Sequence, residues 1–388
     1  MAAGVNPRGN LSVFAAAPFP RGFTPAAIGF RVRLITLVPM PSATKELRIA
    51  VLLNPADYAA RPMLAGILEV ARIKHWRLTA DPTAADGILH AGPAPPSARV
   101  PLVSVSADPF ANAMIGPDAA AVGRMAAEHF LDRGFRRFVY SGPLTDVHPD
   151  ACGDAFADCI RRRGHACAVM HDPLQALALP RPIACFVTGG VAAVRWVAAV
   201  RSAGRTVPGD VAVLTVGDDE LTCERTDPPL SAIDVGPRTL GRLAARRLVA
   251  VLRRRAGGDV ERVPPVGVTL RASTDTLAVA DADVAAAVRF VREHAGGPLR
   301  VTDILRAVDL DRRTLERRFQ KSLGRSPAEV LRRCRVERAA DLLRNTPRPI
   351  SDVATAVGFR LPQHLAVAFK ALRGQTPRAY RAAVRGEG

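Results

Sequence analysis

Four of the six residues from Arg312 to Arg317 are charged, and three of them are arginines: Arg312, Arg313, Glu316 and Arg317. Leu315 and Phe319 stand among them at i and i+4, so on a helix they share one face and leave the charged set on the other. Guanidinium groups in such an array, with the Thr314 hydroxyl between them, suit a lattice of phosphates and base-edge acceptors. A sparser set follows at Arg360, Gln363 and His364. There Gln can pair with adenine, and Arg with guanine or phosphate. These eight residues are the candidate contacts to double-stranded DNA.

Other chemistry is poorly supplied. The chain contains no GxSxG, P-loop or HExxH pattern and no Cys/His/Asp constellation, and His75, His129, His148 and His165 have no evident partners in the sequence. The six cysteines (Cys152, Cys159, Cys167, Cys185, Cys223, Cys334) form no CxxC pair, which points to reduced thiols rather than a disulfide or metal framework. No enzyme activity, metal or cofactor is expected. No run of 18 apolar residues is present, so no membrane span is expected either.

The elements that must position the charged sets are written twice. "VTDILRAVDLDRRTLERRFQKSLGRSP" starts at Val301 and "ISDVATAVGFRLPQHLAVAFKALRGQTP" at Ile350, with an offset of 49 that becomes 50 after the turn. Each copy reads as a short helix, a turn (Val308-Asp309-Leu310 or Val357-Gly358-Phe359) and a longer helix. Thr302 and Ser351 read as N-caps, and Gly324 and Gly374 as C-terminal stops before Ser-Pro and Thr-Pro restarts. This is helix-turn-helix geometry, twice. The spacing predicts helices over 284–295, 302–308, 312–322, 327–344, 351–357 and 362–372.

Before this helical module the texture differs. "LRIAVLLN", "DGILHA", "PLVSVS", "RRFVYSG", "ACAVMH", "IACFVT" and "VAVLTVG" are short apolar runs between amphipathic stretches, the pattern of βαβ units and parallel sheets. The expected fold class is therefore an α/β two-lobed domain of doubly wound parallel sheets over 46–275, a linker over 276–283, and an all-α domain over 284–388. Residues 1–45 read as a disordered leader or as sequence ahead of a start at Met40. Charge follows the same division. The chain carries a net +18, and residues 280–388 hold 22 Lys and Arg against 12 Asp and Glu, a net +10 in little more than a quarter of its 388 residues. A basic module of this kind fits a polyanion.

The motifs carry a resemblance. "LDRRTLERRFQKSLGRSP", "RCRVERAADLLRNT" and "ISDVATAVGFRLPQHLAVAFKALRGQTPRAYR" resemble the DNA-binding domain of AraC-type regulators, which has two helix-turn-helix units joined by a long helix. "LRIAVLLN", "DGILHA", "RGFRRFVYSG", "VPGDVAVLTVGDDELT" and "VPPVGVTLRASTD" resemble the periplasmic-binding-protein-like sensors of GalR/LacI regulators. From about Met40 the order of parts resembles the xylose-operon activators. That resemblance implies a sugar-like effector in a cleft between the lobes, with Arg61 and Asp118 at positions matching ligand-facing residues. Asp218 and Asp219 follow at once where the family ends its strand on Asp. The sequence departs from the pattern at Gly189-Gly190, at Gly217, and at Ala59-Ala60, which lack the aromatic and acidic character expected before Arg61. In the second recognition helix Leu365 replaces an aromatic and Ala366-Val367 replace polar residues, so the first unit is expected to supply most of the base reading.

The function these readings imply is sequence-specific transcription regulation, in the cytoplasm and as a homodimer. A small molecule would close the lobes and reorient the DNA-binding modules, with RNA polymerase as a further partner if the protein activates. A regulator with a degenerate cleft is the variant reading. A transport solute-binding protein would want a signal peptide and no basic helical tail, and the sequence offers the reverse.

Overall fold

Runs of β-branched residues become strands of two separate parallel sheets, and the amphipathic stretches between them cover the sheet faces. The computed structural model describes residues 46–92, 100–105, 111–142, 150–253 and 260–385. A first lobe opens with β1 (Arg48–Leu52), α1 (Ala60–Lys74), β2 (Arg77–Thr79), β3 (Gly87–His90), β4 (Leu102–Ser104) and β5 (Ala113–Pro117). The chain crosses to a second lobe built of α2 (Ala119–Leu131), β6 (Phe138–Ser141), α3 (Ala151–Arg162), β7 (Cys167–Val169), α4 (Pro173–Ala176), β8 (Ile183–Thr188), α5 (Gly190–Ser202), β9 (Val211–Val216), α6 (Glu220–Arg225) and β10 (Ser231–Asp234). Helix α7 (Pro237–Leu252) leads back to β11 (Val260–Val263) in the first lobe, and the chain then returns for β12 (Gly267–Thr269).

The sheet orders are β11-β5-β4-β3-β1-β2 and β12-β10-β9-β8-β6-β7. All recorded pairings are parallel except β10 with β12. Three chain crossings between the lobes therefore surround one cleft, at the carboxyl ends of the strands. Strand β8 occupies the residues expected for it, because six consecutive apolar or small residues buried on both faces leave no other reading. Strands β2, β5, β10, β11 and β12 were not anticipated. They are short, and Gly116, Pro117 and Gly267 interrupt their apolar pattern, so their neighbours in the sheet define them more than their own residues do.

Each lobe is stapled by a close helix pair. A Cβ on Gly66 of α1 would lie 1.9 Å from the Arg238 carbonyl of α7, and one on Gly123 of α2 would lie 2.1 Å from the Cys152 carbonyl of α3. The absence of side chains there lets the backbones touch. Phe130, Phe138, Tyr140, Phe156 and Phe186 then fill the space between α2, α3 and the second sheet.

The helical module comprises α8 (Ala282–His294), α9 (Val301–Val308), α10 (Arg312–Leu323), α11 (Pro327–Asn345), α12 (Ile350–Ala356), α13 (Pro362–Arg373) and α14 (Pro377–Arg385). Two cores divide it. Val330 and Leu331 of α11 join Ile304, Leu315 and Phe319, while Val336, Ala339, Ala340 and Leu343 of the same helix join Val353, Leu365 and Phe369. Gly324 and Gly374 close α10 and α13 in the left-handed region, at φ 64° and 73°. The N-caps differ from expectation. Helices α9 and α12 begin before Thr302 and Ser351, at Val301 and Ile350. In α9 the Asp303 carboxylate accepts the Arg300 N–H at 2.7 Å, which fixes the start without a hydroxyl cap. Helix α8 starts two residues before Val284 because the Asp281 carboxylate accepts the N–H groups of Asp283 and Val284.

This module is docked on the second lobe. Arg325, with 1% of its side chain exposed, forms an ion pair with Asp132, and Arg333 pairs with Asp132 at 2.8 Å and with Glu128. Burial, with Arg333 nearby, lowers the Arg325 guanidinium to about 10. Residues 276–281 connect the sensor to α8 with alternate faces used: Ala278 packs on the second-lobe core, and Leu277 and Val279 on the core of the first helical unit. Val266, just before β12, is buried among Val336, Leu343, Val353 and Phe369.

Candidate nucleic-acid interface and effector cleft

Helix α10 begins where the Asp311 carboxylate accepts the Thr314 N–H at 2.9 Å, so its first turn is fixed by a cap and not by tertiary contact. Thr314 is itself turned back on Asp311, and its hydroxyl holds that carboxyl below the usual range. Leu315 and Phe319 are fully buried, which forces Arg312, Arg313, Glu316 and Arg317 outward. Arg312 donates from Nε to Glu316 at 2.8 Å, an i,i+4 pair that presents its remaining N–H donors to solvent. The side chains of Arg313 and Arg317 are exposed and make no hydrogen bond or ion pair among the described residues. Arg318, one residue on, is held by Asp281 and Asp283 and is half-buried, so it belongs to the frame.

The turn before α10 places Asp309 at φ 49°, the position that Gly358 takes at φ 79° in the second unit. A short polar side chain tolerates this left-handed conformation better than most. In the second unit Arg360, just before α13, and Gln363 and His364 in its first turn are exposed, and none has a side-chain partner among the described residues. Leu365 is buried, and Val367 is 72% exposed, so this face offers an apolar surface beside its few polar groups. Helix α11 separates the two units; its 19 residues span about 28 Å. That length approaches the roughly 34 Å of one DNA helical turn.

The cleft residues fall at strand ends, where α/β folds bind ligands. Arg61 lies in the first turn of α1, exposed and without a recorded partner among the described residues. Asp118 is committed to structure: its carboxylate accepts the Ala121 N–H at 2.9 Å and caps α2, with Arg124 at 3.9 Å. Asp218 accepts from Thr269 at 2.5 Å and from Arg271 at 2.8 Å, and Arg271 also reaches Glu224. Asp219 accepts from the Thr222 hydroxyl at 2.5 Å. Asp218 and Asp219 face a residue that sequence reasoning passed over, Tyr58. Burial, with Asp57, Asp234, Asp218 and Asp219 around it, raises the Tyr58 phenol above its usual range.

Tyr58 follows β1 in the first lobe yet touches Gly217 at the end of β9 in the second. A Cβ on Gly217 would lie 2.7 Å from the Tyr58 hydroxyl oxygen, and Gly217 sits at φ 94°. The aromatic and acidic residues found missing at Ala59-Ala60 are thus present two positions earlier, as Asp57-Tyr58, in the same loop. Gly217, read as a lost carboxylate, makes the room that Tyr58 fills.

His129 and Arg133 form a buried chain with Thr274: Arg133 donates to His129 Nδ1 at 3.1 Å, and Nε2 meets the Thr274 hydroxyl at 2.9 Å. This ties α2 to the end of the sensor and is structural. His148 lies outside the described residues. All six cysteines are free, and burial raises the thiols of Cys152, Cys185 and Cys334. No group of described residues could hold a metal ion, and no described helix is long and apolar enough to cross a membrane.

Comparison with known proteins finds two family patterns along the chain. Residues 127–274 match the family pattern of a periplasmic binding protein-like domain, and residues 304–383 match that of a helix-turn-helix domain. The xylose operon regulatory protein of Escherichia coli (strain K12) is 31% identical over 177 residues, 45% of each chain. The chain thus spans less than half the length of that relative. Its counterpart in Haemophilus influenzae is 23% identical over 287 residues, 69% of this chain and 74% of the other. A solved xylose-binding transcription activator superposes with a TM-score of 0.55 at 24% identity, covering 87% of this chain and 98% of its own. A LacI family transcriptional regulator from Arthrobacter sp. FB24 gives a TM-score of 0.51 at 19% identity, over 59% of this chain and 99% of its own. At these identities the likeness shows a shared fold. The chain joins a two-lobed periplasmic binding protein-like domain to a helical domain of two helix-turn-helix units.

Proposed function

We propose that the protein is a sequence-specific DNA-binding transcription regulator whose two-lobed domain senses a small polar molecule. One observation carries the reading: Arg313 and Arg317 stand exposed and unpaired on a helix whose opposite face is locked by Leu315 and Phe319. Guanidiniums held this way are ready to meet guanine edges and phosphates without first breaking internal pairs. Arg312, Thr314 and Glu316 complete the first face, and Arg360, Gln363 and His364 form the second. The named relatives, both xylose operon regulatory proteins, support an effector of carbohydrate type. The protein acts in the cytoplasm as a homodimer on paired half-sites, without catalysis, and contacts RNA polymerase if it activates.

Footprinting of the promoter region beside the gene tests this directly. A protected site is expected, and Arg312→Ala with Arg313→Ala should weaken binding there by about 1–3 kcal/mol per lost base contact. Binding without sequence preference would refute the reading.

A second reading of the cleft is favoured by Tyr58. Its contact with Gly217 joins the two lobes directly, so the sensor would hold a closed state by itself. Thermal-shift screening against sugars separates the two readings, since a ligand selective for the folded state raises Tm. Under the self-closed reading no sugar shifts the wild type.

A further inference from the structure

The cationic surface does not stop at the helical module. Helix α3 of the second lobe ends in Arg161, Arg162 and the capping Arg163. Arg161 is paired with Asp158. The side chains of Arg162 and Arg163 are exposed and make no hydrogen bond or ion pair among the described residues. Their position is set by the docking of the two domains. Arg163 Nη1 lies 3.9 Å from where a Cβ on Gly324 would be, and Gly324 is the stop of recognition helix α10. Arg136, of the same lobe, donates to the carbonyl oxygen of Lys321 at 2.7 Å and so caps the last turn of that helix. The Lys321 side chain is exposed there too. Arg136 and Arg163 of the sensor lobe thus flank the last turn of α10, with Arg162 next to Arg163 in the chain, while Asp158 is already engaged by Arg161 and Asp132 by Arg325 and Arg333. Uncompensated like charge at this density opposes folding unless a polyanion meets it.

The geometry points to that polyanion. A helix of 12 residues is about 18 Å long, whereas the major groove is about 12 Å wide. With its first turn at the base edges, the far end of α10 passes the rim of the groove, where the phosphate strand runs. We propose that Arg162 and Arg163 of the sensor lobe grip DNA phosphates flanking the half-site read by α10, so that the sensor is itself part of the DNA-binding surface. This rests on the DNA-binding reading above.

The test uses the full chain and a duplex carrying the footprinted site, with affinity measured across a salt series. Arg162→Ala with Arg163→Ala should lower the slope of log K against log salt by about 1.8, at about 0.9 per lost phosphate contact. The footprint and the ratio of specific to mixed-sequence binding should be retained, and Arg162→Lys with Arg163→Lys should keep the slope. Both positions are solvent-exposed, so circular dichroism should match wild type and Tm should not fall. An unchanged slope in the Ala pair, beside a lost preference in Arg312→Ala with Arg313→Ala, overturns this inference alone and leaves the arginines to an acidic protein surface. Loss of neither property in either pair overturns the DNA-binding reading itself.

Discussion

Replacing Asp132 by Asn tests how the helical module is held to the second lobe. The Asp132 carboxylate serves two arginines at once, Arg325 through Oδ1 and Arg333 Nε through Oδ2 at 2.8 Å. Their side chains are 1% and 13% exposed, so water cannot replace what is removed. Each contact is worth about 4 kcal/mol at a charge-centre separation of about 4 Å and an effective dielectric of about 20. Glu329, 3.8 Å from Arg325, and Glu128 on Arg333 retain part of that. The net loss should be about 3–5 kcal/mol, as for other buried pairs left with one partner. Urea denaturation at neutral pH measures it. If docking is weaker than this loss, the module releases before the lobes unfold, and limited proteolysis cuts within 276–283. Changing both partners, Asp132→Leu with Arg325→Leu, should restore most of the stability, because no lone charge remains buried. A cost under about 1 kcal/mol for Asp132→Asn, the size of an exposed pair, would refute the buried-clamp account. So would a double variant no better than the single one.

Further outcomes follow from backbone and burial. Burial, with Arg133 and then Arg292 nearby, keeps His129 well below its ordinary 6.5, so the folded form stays neutral where the unfolded chain takes up a proton. Its contribution should be level above pH 6.5 and fall by about 1.4 kcal/mol per pH unit below it, read as the difference between wild type and His129→Gln in urea titrations. Gly123→Ala drives a methyl into the Cys152 carbonyl and should cost about 1–3 kcal/mol or more. Gly374→Ala, at φ 73° with open space around it, should cost only about 1–2 kcal/mol of backbone strain, and thermal melts of the two variants show the contrast. Phe319→Ala should cost about 3–5 kcal/mol by denaturation and abolish DNA binding through loss of the α10 frame.

The helix-turn-helix units were legible because local chemistry fixes them. Gly324 and Gly374 must end helices, and Leu315 and Phe319 must turn inward, whatever else the chain does. Strand β8 was legible for the same reason. Strand β11 was not: three of its four residues, Val260, Glu261 and Arg262, are exposed, and pairing with β5 is what makes them a strand. The docking of the two domains was hidden too, since Asp132 and Arg333 stand 201 residues apart and each resembles a solvated charge. Tyr58 carries no sign in the sequence, because Asp57-Tyr58 stand two positions before the register that Arg61 sets and the room for the ring comes from Gly217, in the other lobe. Size complementarity across a cleft leaves a sign only when both residues are considered together.

The place of Val266 bears on attempts to move this helical module to other proteins. The duplicated sequence invites excision at about residue 280, as though everything the module needs lay after that point. One of the side chains in the core of its second unit comes from the sensor, and so does the carbonyl that accepts from Arg373 Nη1 at 3.2 Å. A chimera with another sensor would inherit a vacant notch between α11 and α13 and two arginines, Arg344 and Arg373, facing it. Successful grafts would carry the β10–β12 corner along, or would supply an apolar residue at the same depth from the new host.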